Sequence, residues 1–68
     1  MTDMKAKAIR NQYQVLSGYV FEAISESGQE YLSKHWLIRD EMIAPDSAKF
    51  WLDHMAQNGL KVDLNYGN

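Results

Sequence analysis

Cysteine is absent from the 68 residues, so no disulfide can staple the fold and the commonest soft metal ligands are missing. Glycine is sparse and scattered: Gly18, Gly28, Gly59 and Gly67 never cluster into a loop that would cradle a phosphate. Proline occurs once, at Pro45. No apolar run approaches the roughly 18 residues of a membrane span. The opening MTDMKAKAIRNQYQ also lacks the apolar stretch of a secretion signal. These absences point to a cytoplasmic chain without a membrane partner. A basic excess is lacking too: the formal charge is −2 and the isoelectric point about 5.5, which argues against a general nucleic-acid binder.

Arrangements that carry chemistry are equally scarce. His35 and His54 fall on different expected helices, with no ligand three or four residues away to begin a metal site. Asp53 and His54 cannot act as a catalytic pair, because adjacent residues of a helix point about 100° apart. The serines lack the glycine setting of a nucleophile elbow. The expectation is a chain that is not an enzyme, with no catalytic residue, cofactor, metal or small-molecule substrate.

Large side chains, by contrast, are plentiful. The hydrophobic residues make up 46% of the chain and the charged ones 24%, a globular composition and not that of a disordered tail. Tyr13, Tyr19, Phe21, Tyr31, Trp36, Phe50, Trp51 and Tyr66 are many aromatics for this length. Each can bury about 150–250 Å², more than a small core can hide, and such a core rarely supplies more than about 3–5 kcal/mol. Some rings are therefore expected to be exposed and covered in an assembly.

Periodicity suggests where they sit. Ile9, Tyr13, Leu16, Val20 and Ile24 recur at helical steps, predicting a helix over about 4–25, with interior Gly18 either marking a close helix contact or merely tolerated. Ser27 followed by Glu30 forms a capping box, starting a second helix over 28–43 whose wide apolar arc includes Leu32, Trp36 and Ile43. Ala44-Pro45 breaks the chain. A third helix over 46–58 is capped by Asp46 and closed by Gly59, with Leu60 folding back on Met55. Leu60, Val62, Leu64 and Tyr66 then alternate with polar residues, giving an extended segment over 60–66. With no second strand in view, it either pairs with another chain or lies as a tail over the helices.

The fold expected is thus mainly α, a compact three-helix domain over 1–68 with a short C-terminal extended segment. Phe50, Trp51 and Leu52 are consecutive and fan over about 200° of helix, so one face cannot bury all three. Leu52 joins Ala48, Met55 and Ala56 as the inward row, and Leu37 falls on the flank of the second helix. The expected function is a small protein-interaction module: an inhibitor, adaptor or regulator of a larger protein, or a homodimer, of a size that suits a phage or plasmid product. Its interface would comprise Leu37, Phe50, Trp51, Val62, Leu64 and Tyr66. The alternative is a dimeric helix-turn-helix regulator, with Lys49, Gln57 and Asn58 facing a DNA groove and Lys5, Lys7 and Arg10 on phosphate.

Overall fold

A computed structural model describes residues 1–39 and 41–64. The chain is not mainly α: a three-stranded mixed sheet packs against two helices, in the order β1 (Met4–Arg10), β2 (Leu16–Ala23), α1 (Glu26–Lys34), α2 (Pro45–Gln57) and β3 (Val62–Asp63). A 3-10 turn, Trp36–Ile38, follows α1. The spatial order of the sheet is β2-β1-β3, with β1 antiparallel to β2 and parallel to β3.

The expected first helix is replaced by a hairpin. Met4 pairs with Ala23, Ala6 with Phe21 and Ala8 with Tyr19, so these six side chains share one face of the sheet, with Met4, Ala6 and Phe21 fully buried. Lys5 and Lys7 lie on the opposite face. The inward row of β1 is built from Met and Ala instead of β-branched residues, so the period of two is muted. Meanwhile Ile9, Tyr13 and Leu16 fall at helical spacing across a turn. Asn11 makes that turn: its Oδ1 accepts from the backbone N–H groups of Tyr13 (2.8 Å) and Val15 (3.1 Å), and Gln14 adopts φ +63°. A register shift between Ile9 and Arg10 leaves Ser17 as the extra residue of a bulge.

Helix α1 is shorter than expected and starts earlier. Ser25, not Ser27, is its N-cap, accepting from the Gly28 N–H at 3.1 Å. The helix ends at Lys34, and residues 35–39 and 41–44 include the 3-10 turn and bridges to β2 at Arg39 and Ile43. Tyr19 and Ile43 exchange both backbone hydrogen bonds, at 2.8 and 2.7 Å, which covers the free edge of β2. A methyl on Gly18 would overlap the Ile43 carbonyl oxygen and the Met42 side chain, so Gly18 lies on a strand against this returning segment and not at a helix contact. The two helices are consequently not joined by the tight turn of a helix-turn-helix.

Helix α2 matches its expected span within a residue. Pro45 occupies its first turn, where the missing N–H is harmless, while Ala44, and not Asp46, is the N-cap. Its end is the expected Schellman motif: Gly59 N–H donates to Ala56 O and Leu60 N–H to Met55 O, both at 3.0 Å, with Gly59 at φ +76°. The extended segment pairs within the chain, since Val62 and Asp63 lie beside Met4 and Lys5. Tyr66 lies outside the described residues.

Both helices cover the same sheet face. The core comprises Met4, Ala6, Phe21, Tyr31, Leu32, Ile38, Ala48 and Met55. Leu52 is half-buried, and Ala56, expected inside, is exposed.

Candidate functional site

A cluster of rings stands where the C-terminal end of α1 meets the middle of α2. Tyr31 lies in the last turn of α1 and His35 caps its end, while Phe50, Trp51 and His54 occupy one side of α2. The His35 ring lies 4.6 Å from Tyr31, 5.1 Å from Trp51 and 5.4 Å from His54, centre to centre. Trp51 meets Phe50 edge to face at 5.3 Å, and Phe50 stacks on His54 at 6.2 Å with 15° between planes. These are the spacings at which ring pairs attract beyond simple burial.

One hydrogen bond clasps the cluster. The Tyr31 hydroxyl lies 2.6 Å from His54 Nδ1. Burial pushes the Tyr31 phenol above its ordinary range. The amide nitrogen of Asn58 faces the same Nδ1 at 3.5 Å, and that side chain donates to the His54 carbonyl at 2.8 Å. A cleft of about 240 Å³ opens beside the cluster, lined by Ser27, Glu30, Lys34, Asn58 and Leu60 together with Tyr31 and His35.

Large apolar side chains also stand in solvent, Phe50 within the cluster and Trp36 and Leu37 directly after His35 in the chain. Trp36 is 67% exposed, Leu37 64% and Phe50 61%. Trp36 was expected in the inward arc of a long helix. Because α1 stops at Lys34, the 3-10 turn instead directs Ile38 into the core and leaves Trp36 and Leu37 outside.

The residues expected at an interface are therefore divided. Phe50, Leu37 and the half-buried Trp51 belong to this surface, whereas Val62 and Leu64 sit on and just after β3, against the other edge of the sheet. Sequence reasoning missed Tyr31, His35 and His54 as a group. Their 4- and 19-residue separations carry no signal until the two helices pack together. The residues of the DNA alternative do not form one surface. Lys5 and Lys7 are on the sheet face turned away from the helices, Arg10 donates to the Gln14 carbonyl at the hairpin end (3.1 Å), and Lys49, Gln57 and Asn58 are on α2 in the other layer. Among the described residues, no three His, Asp or Glu side chains are placed to hold a metal ion, and no helix is long and apolar enough to cross a membrane. Comparison with protein-family models, curated proteins and solved structures finds no match to this chain.

Proposed function

We propose that this chain is a non-enzymatic protein-interaction module whose contact surface is Phe50, Trp36 and Leu37 around the ring cluster. The observation that carries this reading is the exposure of all three side chains beside a rigid, hydrogen-bonded group of rings. Each aromatic offers about 150–250 Å², so two rings more than half exposed, with an exposed leucine next to Trp36 in the chain, leave a large apolar area in solvent, as binding surfaces do. The Tyr31–His54 bond and the ring packing hold Trp51 and Phe50 in place before any partner arrives, which lowers the entropy cost of association. Aromatic anchors of this type typically dominate binding energy, costing about 2 kcal/mol or more when truncated.

The test is to replace Phe50 and Trp36 with serine and follow association with any protein, self included, by sedimentation and by affinity capture from the source cells. Both residues are largely exposed, so circular dichroism should report an unchanged fold. The double variant should lose self-association, or a stoichiometric partner that the parent captures. If parent and variant behave alike in both assays, this surface is not the contact surface.

A further inference from the structure

Beyond the rings, α2 carries a second pattern on its solvent side. Asp46, Lys49, Phe50, Asp53 and Gln57 are all exposed, and at 100° per residue they fall on one face, opposite the buried Ala48 and Met55. Lys49 and Asp53 are four residues apart on this face, yet neither makes an ion pair among the described residues. Lysine preceding an acid is the weaker order for such a pair within one helix.

The heights of these groups along the helix are symmetric. The midpoint of Lys49 and Asp53 is position 51, and that of Asp46 and Gln57 lies half a residue further on. Phe50 is within about 2 Å of both, at 1.5 Å rise per residue. A two-fold axis through this point and perpendicular to α2 would lay a second α2 antiparallel on the first. Lys49 would then face the partner's Asp53, and Asp53 the partner's Lys49. Asp46 would face the partner's Gln57, a carboxylate against an amide donor, and Phe50 would meet its own copy near the axis. A self-complementary surface of this kind is what an isologous dimer requires.

We infer that the occupant of this surface is a second copy of the chain, docked antiparallel along α2 with reciprocal Lys49–Asp53 pairs flanking Phe50. The inference rests on the reading of Phe50 as a contact residue and adds the identity and orientation of the partner.

Charge swapping tests it by sedimentation equilibrium of the full chain from about 1 to 500 µM at low and moderate salt, a range that covers common dimer affinities. The parent should dimerise. Lys49→Asp sets Asp against the partner's Asp53, and Asp53→Lys sets Lys against the partner's Lys49; each should weaken the dimer at least about tenfold. The double swap, Lys49→Asp with Asp53→Lys, should return the affinity to within about threefold of the parent. An equimolar mixture of the two single variants should form a heterodimer, because each supplies the charges that the other needs. A parent that stays monomeric, a dimer indifferent to Lys49→Asp, or a double swap that fails to recover would each overturn the inference. A monomeric parent that still captures another protein through Phe50 would leave the contact surface standing and remove only the second copy as its occupant.

Discussion

Asp3 is the residue on which three chain segments converge. Its carboxylate accepts from the Ser25 hydroxyl at 2.7 Å and from the Lys61 N–H at 2.9 Å, while its backbone carbonyl accepts from Ile24 N–H at 2.8 Å. Ser25 in turn caps α1, so one carboxylate links the start of β1, the start of α1 and the approach to β3. Those hydrogen bonds, with that from Ser25 the strongest influence, hold the Asp3 carboxyl below its ordinary range. A group whose folded value is lowered adds stability that is present above its unfolded value and lost as pH falls through the folded one. Asp3→Asn keeps one acceptor oxygen but turns an amide N–H₂ toward a second donor. Its melting temperature should therefore fall below the parent's at pH 7, and the two should converge as pH falls through the lowered value of the folded Asp3 carboxyl. Equal melting curves at neutral pH would show that the link is not stabilising. Nothing in the sequence marks Asp3 for this role. Ser27 looked the better cap because Glu30 follows it at the right spacing, whereas Ser25 is chosen by a partner 22 residues away.

At the scale of elements, two glycines separate backbone conformation from contact. Gly59 has φ +76° and nothing within 4 Å of where a Cβ would sit, so Gly59→Ala should cost about 1 kcal/mol through the left-handed backbone alone. Gly59→Asn should recover part of that. Gly18 has an ordinary backbone sign but sits against the Ile43 carbonyl and Met42. Gly18→Ala should cost about 1–3 kcal/mol by forcing that segment off β2, and Gly18→Asn should be worse. Urea unfolding of the four variants checks both, and a Gly18→Asn milder than Gly18→Ala would refute the steric account. The same contrast explains what could be read in advance. Helix α2 is bounded by local chemistry, Pro45 at one end and Gly59 at the other, and its span was legible. The hairpin depends on which residues face each other across it. Ala6 against Phe21 and Ala8 against Tyr19 make an inward row too small to announce a strand, since alanine has little preference for one. The helical spacing of Ile9, Tyr13, Leu16, Val20 and Ile24 was a coincidence of positions on β1, the turn, β2 and the residue after it.

For the whole molecule, the small buried core and the large exposed rings are two sides of one constraint. The exposure of Phe50 was legible because three successive apolar residues cannot share one helix face, whereas Leu37 is exposed by the 3-10 turn and not by its place on a long helix. Trp36 was misplaced because its exposure depends on where α1 ends, and the Tyr31–His54 bond was hidden because it joins two elements. A chain of this size has about 3–5 kcal/mol to lose from its own core, so an association of folded protomers would contribute visibly to its stability by mass action. Once the concentration exceeds the dimer dissociation constant, each tenfold increase should stabilise the dimer by about 1.4 kcal/mol. Shared between two protomers, that should raise the melting temperature by about 3–6 °C. Phe50→Ser should melt at a temperature independent of concentration and somewhat below the dilute limit of the parent, because it removes the ring at the axis together with its packing on Trp51 and His54. The two effects have different origins, so calorimetric scans of parent and variant over the same hundredfold range separate them. A parent whose melting temperature is flat across that range would mean that the core supports the fold alone and that its exposed rings are reserved for a partner other than itself.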